Sequence, residues 1–524
     1  MASYVTVASS LPVSFPPSCL PNASAPPSYW LEFPSPHANH GEHSPLPDEV
    51  DILVLGSGIT GVSFAHELAK LLQRRGGIEG LKVRGDKLRI AMLEAREFCS
   101  GATGRNGGHL APTGCFGFAT CTSKHGVEAA HQAVDLERYS LSKVLDFLET
   151  NNLKREVDWA NGGRVQIFKN REEAEEVRVE LEAAREAGRR EVEGLVWLDE
   201  RQVEIKLGAS KEVIHSALCL PDGNNLFPRK LVSHLFDSVL FLTSSLPFLH
   251  FSLYTHTPCT SISSPSSSGI YTCSTPRGSI RAPTIVHATN AYISHLLPHL
   301  ASNHPHSVVP TRGQCIAVPP PIPTKAIWTC ALSAEEGFEY FFQRPFAPAS
   351  SAPTAGSVNQ TVSEEEGEEG SRGGGEIILG GGRHATFPTF EYANSDDSST
   401  DERVGEYLRR FLKGWFPRYW KEEEDVKVQK EWTGVMGFTR SEDPWVGPVV
   451  DSKGKVLKGQ WMSAGYTGHG MTRAPACGEA LAQMVVSDLA GEEWERPRWF
   501  PEHFLTTKTV FEDVGKIGGN TIGV

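Results

Sequence analysis

Apolar residues come in short dense runs, broken by polar and glycine-rich stretches. The first run, Val50 with Ile52, Leu53, Val54 and Leu55, is rich in β-branched residues and nearly continuous. That is the pattern of a strand buried on both faces. It stops at Gly56. Beyond it, Val62, Ala65, Leu68, Ala69 and Leu72 recur at helical spacing and predict an amphipathic helix. A second apolar run, LRIAML at 88–93, ends on Glu94. Strand, helix and strand in this order predict an α/β unit built on a parallel sheet.

Farther along, helical spacing of Ala, Leu, Glu and Arg predicts helices over about 128–151 and 171–188, flanking a short strand at 164–168. Residues 196–214 read as connecting structure. The stretch PDGNNLFPRKLVSHLF puts a turn before a long helix. Residues 250–289 read as a β-meander, with strands to follow at 308–318, 339–345 and from 376. A helix is expected over 401–420. QWMSAG, at 460–465, reads as a strand leading into a second glycine loop and a helix over about 472–489. Two segments lack periodicity. Residues 1–46, rich in Pro and Ser, are expected as an extended or partly disordered arm, ordered against the body by Tyr29, Trp30 and Phe33. Residues 346–375 are low in complexity and expected as a disordered insertion.

The first turn carries the chemistry. Gly56-x-Gly58-x-x-Gly61 joins the buried strand to the helix, the context that gives this spacing meaning. Gly56 permits the tight turn, Gly58 lets backbone approach a pyrophosphate, and Gly61 lets helix and strand pack closely. The helix N-terminus points N–H groups and partial positive charge at the phosphates. Glu94, at the end of the second strand, suits ribose hydroxyls. It lies 33 residues after Gly61, but 76–87 (GGIEGLKVRGDK) reads as a 12-residue loop insertion, and 33 − 12 leaves the usual 21. Next, 95–112 (AREFCSGATGRNGGHLAP) holds too many glycines for a helix. It is either a flexible surface loop or one laid along a flat cofactor. The second glycine loop, 465–470, again precedes a helix and offers a second place for partial negative charge.

A formal net charge of −13 argues against partnership with nucleic acid or an anionic membrane surface. No apolar stretch reaches transmembrane length, and residues 1–21 lack the features of a secretory signal, so a cytoplasmic location is expected. The ten cysteines are scattered, with no C-x-x-C pair, and read as free thiols. No zinc spacing, Walker loop or Ser-His-Asp array stands out.

Three blocks together resemble one family. VLGSGITG with LEAR, SGATGRNGGH, and WTGVMGFTRSEDPWVG followed by AGYTGHGM resemble the FAD-dependent amine and amino-acid oxidases of the D-amino-acid oxidase superfamily. Within it they are most similar to gamma-glutamylputrescine oxidoreductases and their fungal relatives. The resemblance spans roughly 30–505. It implies a Rossmann-type, glutathione-reductase-like FAD domain assembled from 47–125, 215–315 and 430–510. A substrate domain with an antiparallel or mixed sheet and flanking helices would take 126–214 and 316–429. It further implies oxidation of a C–N bond in a small amine-type substrate by hydride transfer to flavin, with oxygen as acceptor and hydrogen peroxide as product.

Carried onto these positions, the resemblance puts Gly56, Ser57, Gly58, Thr60 and Gly61 on the pyrophosphate, Glu94 on the ribose and Arg96 beside the adenosine. Thr103, Gly104, Arg105 and Asn106 would line the flavin, and Thr467, Gly468, His469, Gly470 and Met471 its pyrimidine edge. Met436 stands where some relatives attach flavin through cysteine, so FAD is expected to be non-covalent. Arg473 follows the second loop where sarcosine-type relatives have lysine nearby. Arg105 and His469 are the catalytic candidates, although the place of His469 in a glycine loop suggests backbone contact with flavin rather than proton transfer, and His109 suits a structural hydrogen bond. Trp432, Phe438 and Tyr340 face either substrate or core, and Glu442 and Asp443 read as a turn before Pro444. An NAD-linked dehydrogenase would not need the second glycine loop. An FAD-dependent dehydrogenase of secondary metabolism, or a flavin-binding protein without catalysis, stays open.

Overall fold

The computed structural model describes residues 11–508, apart from 13, 302–303, 323–324, 335–337 and 346–373. The expected disordered insertion thus falls almost wholly outside the described residues. Two large sheets organise the rest. The first has six strands in the order Trp445–Val450, Val456–Ala464, Thr284–His287, Ile52–Leu55, Leu88–Leu93 and Leu249–Tyr254. All neighbours pair parallel except the Trp445–Val450 edge, which is antiparallel. Ile52–Leu55 sits inside this sheet and is buried along its whole length, as its continuous apolar run requires.

Helix Ile59–Arg75 follows that strand and packs, with Gly470–Ala490, Pro228–Ser245 and Val127–Thr150, into the largest core. It ends where Gly76 turns left-handed and donates its N–H to Leu72 and Gln73 carbonyls. Residues 76–87 then run without helix or strand, as the inserted loop predicts.

The second sheet has eight strands and mixed pairing. Its order is Lys430–Phe438, Val309–Val318, Ile377–Gly381, Glu339–Gln343, Ala331–Ala334, Arg164–Phe168, Ser216–Leu220 and Val196–Asp199. Three of these strands, 216–220, 309–318 and 430–438, lie wholly or mostly in segments assigned from sequence to the FAD domain. Their backbone partners lie in this eight-stranded sheet.

Three sequence expectations change. Residues 196–214 are more than connecting structure. Val196–Asp199 is an edge strand, and helix Glu200–Leu207 starts on a capping box formed by Asp199 and Gln202. The supposed meander at 250–289 is split. Leu249–Tyr254 and Thr284–His287 both join the parallel sheet, where their apolar faces are covered, and only the segment between them forms a separate three-stranded antiparallel sheet. The 401–420 helix stops at Trp415, because Pro417 drives Phe416 out of helical backbone.

The described residues of 11–46 pack against the body, with Trp30 fully buried on the short turn Tyr29–Leu31. No described helix is long and apolar enough to cross a membrane.

Candidate active site

The two glycine loops, some 400 residues apart in sequence, line one cavity of about 440 Å³. At one end stand Gly56, Gly58, Ile59 and Thr60, where the parallel sheet meets the N-terminus of helix Ile59–Arg75. At the other stand Thr467, Gly468, His469, Gly470 and Met471, at the N-terminus of helix Gly470–Ala490. A direct contact links them: the Thr60 hydroxyl lies 3.3 Å from that of Tyr466, which in turn meets Ser463 Oγ at 2.6 Å.

The first loop is shaped by contact as much as by conformation. Gly56 has φ 105°, and a Cβ there would sit 2.7 Å from the Ala288 carbonyl oxygen. A Cβ on Gly61 would lie 2.0 Å from the Gly56 oxygen. Gly58 is different: an added Cβ meets only Thr103, at 3.1 Å from its hydroxyl, and otherwise open space. Thr103 Oγ1 also accepts the Ile59 N–H at 3.1 Å, engaging one donor of the helix start.

Glu94, Arg96, Thr103, Arg105 and Asn106 line the same cavity. Ser57, Gly61 and Gly104 are absent from its lining and stand behind it. Ser57 bonds to Glu94, and a Cβ on Gly104 would lie 2.2 Å from the Cys99 oxygen. Thr289 Oγ1, His295 Nε2 and Arg96 Nε are buried in residues of the cavity wall, without a partner among the described residues. Unpaired buried donors and acceptors of this kind suit a polar ligand.

Arg105 is buried and held by protein. Its Nε donates to the Ser100 oxygen at 3.0 Å, Nη1 to Thr433 at 3.0 Å and Nη2 to Pro26 at 2.9 Å. Arg96 Nη1 pairs with Asp397 at 2.9 Å, and Arg105 Nε lies 3.5 Å from the same oxygen. Burial, then the Arg96 charge, draws the Arg105 pKa down to about 10. So placed, Arg105 fastens the N-terminal arm and strand Lys430–Phe438 to the glycine loop. Trp432 belongs to this fastening, donating to the Arg105 carbonyl at 2.9 Å, and is not a wall of the cavity.

His469 is half-buried at the cap of the last long helix. Its Nδ1 lies 3.0 Å from the Thr467 carbonyl, which only accepts, so Nδ1 carries the proton and Nε2 a lone pair. Burial, then Arg473, lowers its pKa to about 4, leaving it neutral near pH 7. His109 likewise lines the cavity, with Nδ1 3.1 Å from the Gly107 carbonyl.

The far wall adds Phe116, Arg164, Tyr340, Arg383, Phe438 and Glu442. Glu442 does more than shape a turn. Burial is the largest influence on its carboxyl. Lys124 and Arg473 oppose it, Asp443 reinforces it, and together they push the pKa up to about 7. No hydrogen bond or ion pair engages this carboxyl among the described residues. Three non-glycine residues of the wall, Asn290, Glu442 and Thr467, have φ of 45°, 66° and 48°. Strained backbone of this kind gathers at functional sites. Sequence reasoning missed Glu442 because spacing shows the turn but not the burial. Its one signal was an acidic residue immediately before Asp443-Pro444, in the most specific motif block.

The model of the FAD dependent oxidoreductase family, DAO, matches residues 51–484. A probable oxidoreductase OrdL from Rhizobium meliloti (strain 1021) is 24% identical over 87% of this chain and 88% of its own. The Haemophilus influenzae protein of that name is 19% identical over 84% of each. Glycine oxidase from Geobacillus kaustophilus superposes with TM-score 0.59 at 17% identity, covering 88% of this chain and all of that one. L-amino acid deaminase from Proteus vulgaris does so with TM-score 0.59 at 16% identity, over 89% and 99%. These structures share the fold, a parallel-strand sheet joined to a second mixed sheet. The chain belongs to the DAO family of FAD-dependent oxidoreductases, and FAD is its cofactor.

Proposed function

We propose that this protein oxidises a C–N bond in a small amine or amino acid. The observation that supports this reading best is the single cavity lined by two helix N-termini and by a wall of mixed charge. The first end suits the pyrophosphate, held by Gly56, Gly58 and Thr60, with Glu94 on the ribose. Thr103, Arg105 and Asn106, with residues 467–471, would flank the flavin. On this reading the six-stranded unit is the cofactor domain and the eight-stranded unit the substrate domain. FAD supplies the two-electron acceptor, which oxygen regenerates with release of hydrogen peroxide.

The chain's own task is to prepare the amine. An ammonium has no lone pair with which to expel hydride, so its proton must first leave. The Glu442 carboxylate is the group for that transfer, because it lines the cavity on strained backbone and no hydrogen bond or ion pair engages it among the described residues. His469, neutral and fixed by the Thr467 carbonyl, presents Nε2 as a hydrogen-bond acceptor. Arg164 and Arg383 place cations in the wall, which favours a substrate carrying an anionic group as well as its amine. No cysteine stands at position 436. The Cys315 thiol, which lines the cavity, is pushed up to about 12 by burial and stays protonated. Both points favour non-covalent FAD.

Purified protein should show flavin absorbance that is released on denaturation. A panel of amines and amino acids, read in parallel by peroxide release and by reduction of an artificial dye, separates oxidase from dehydrogenase. A colourless protein that takes up no FAD, or one that holds FAD but oxidises no amine in either readout, removes the proposal.

A further inference from the structure

Beside the cavity, and outside it, three potential ligands from three distant parts of the chain meet. His125 ends helix Phe118–His125, Asp443 lies in the turn between strands Lys430–Phe438 and Trp445–Val450, and His503 sits on the short turn Glu502–Phe504. One donor atom from each lies within 4.8 Å of the other two. We propose that these residues form a binding site for a divalent transition-metal ion of the zinc class.

Three observations carry this. The first is His503. Its side chain is 9% exposed; Nε2 faces the Asp443 carboxylate across 3.5 Å, and Nδ1 has no hydrogen-bond partner among the described residues. A largely enclosed imidazole held only by one long contact has lone-pair capacity left for a further partner. The second is the spacing. His503 Nε2 stands 3.5 Å from Asp443 Oδ2, long for a hydrogen bond. Ligands about 2.0–2.1 Å from a tetrahedral ion lie roughly 3.3 Å apart, so the separation is close to the edge of such a site. The third is the donor set. Two imidazoles and one carboxylate suit zinc and its neighbours, whereas calcium and magnesium take oxygen ligands.

The surroundings are compatible. Arg473 approaches Asp443 through the other oxygen, Oδ1, at 3.7 Å, leaving Oδ2 turned to His503. Lys124 precedes His125 on the same helix and Glu442 precedes Asp443, so one cation and one acid flank the site from its own elements. The His125 ring stacks on His503 at 4.4 Å and 9°, which does not aim both lone pairs at one point. His125 is exposed, however, and rotation about its side-chain bonds swings a ring nitrogen toward Asp443 at little cost. Three protein ligands leave a fourth position for water. Bound metal would pin helix Phe118–His125 and the C-terminal turn to the loop that carries Glu442, fixing the rim of the cavity.

The test is calorimetric titration of the FAD-loaded full chain with zinc chloride, after chelator treatment and removal of the chelator. One ion per chain is expected, with a rise in Tm on addition of zinc. Cobalt should give the absorption of a tetrahedral complex. His503→Ala and Asp443→Asn should each weaken zinc binding by about 100-fold or more. His125→Ala, at an exposed position that does not threaten folding, should weaken it comparably. Absence of a stoichiometric zinc site in the parent protein overturns the proposal. So does unchanged affinity in the His125→Ala variant, with flavin content unaltered.

Discussion

The Glu94 carboxylate grips Ser57 twice, accepting the backbone N–H at 3.0 Å and the hydroxyl at 2.8 Å on one oxygen, Oε2. The other oxygen takes the Arg96 N–H at 3.2 Å, and the Ser57 hydroxyl in turn accepts from the Cys99 N–H at 2.9 Å. One side chain thus couples the first glycine loop to the start of the glycine-rich stretch at 95–112. Glu94→Ala would free three backbone and hydroxyl donors and remove the expected ribose acceptor. Hydrogen bonds to a charged group contribute about 1.5–3 kcal/mol each. FAD affinity should fall by roughly 10- to 100-fold, measured by titration of the apoprotein. An unchanged affinity would detach Glu94 from cofactor binding.

Two glycines of the first loop, Gly58 and Gly61, should fail in different ways. Gly61→Ala forces a methyl to within 2.0 Å of the Gly56 oxygen, between backbone atoms that cannot yield. It should destabilise the apoprotein itself by several kcal/mol, in the range of severe overpacking. Gly58→Ala meets only Thr103 at 3.1 Å and should fold with a nearly normal Tm while losing FAD. Measuring Tm with and without FAD for both variants separates the roles. Equal loss of apoprotein stability in the two would contradict the geometry.

Arg105 is expected to act through structure. Its three nitrogens reach carbonyls of Ser100, Thr433 and Pro26, on three separate segments. Arg105→Met leaves those carbonyls unpaired and strips Asp397 of its second cation. Breaking a buried charge network typically costs about 3–5 kcal/mol. Denaturant midpoints should fall by that measure and flavin retention with them. A variant of normal stability and normal flavin content with slow turnover would instead return Arg105 to the chemistry.

What could be read from the sequence follows what each signal reports. The first strand, its glycine turn and the following helix are local in sequence and carry their periods openly, so they appear where spacing predicts. Helix Glu402–Trp415 is legible in its apolar face, with Val404, Leu408, Phe411, Leu412 and Trp415 all buried, but not in its end, which falls five residues short of the expected 420. The 250–289 region was misread because apolar alternation reports burial and not which sheet supplies the partner. Arg105 reads as a flavin-side residue because an arginine between glycines has little packing role, and it does line the cavity. The carbonyls that occupy it come from Thr433 and Pro26, and no local pattern announces them. Glu442 has the converse history, a turn residue by composition that long-range folding buries beside Lys124 and Arg473.

Glu442 should set the pH dependence. Its carboxyl ordinarily titrates near 4.5 and is pushed up to about 7 in the folded chain, chiefly by burial. A raised carboxyl binds its proton more tightly folded than unfolded. Stability therefore falls as pH rises from about 4.5 to about 7, and Glu442→Gln should remove that decline. Activity moves the other way, since only the deprotonated form can take the amine's proton. In the parent protein kcat/KM should climb with pH through about 7. His469 cannot supply this limb, being held neutral down to about 4. Glu442→Gln should lower kcat/KM by roughly 10²- to 10⁴-fold, the range for loss of a general base, and flatten the profile near neutrality. Flavin content should stay near that of the parent, because the carboxyl makes no hydrogen bond that holds the described fold together. A limb that persists near pH 7 in this variant would assign the proton transfer to another group.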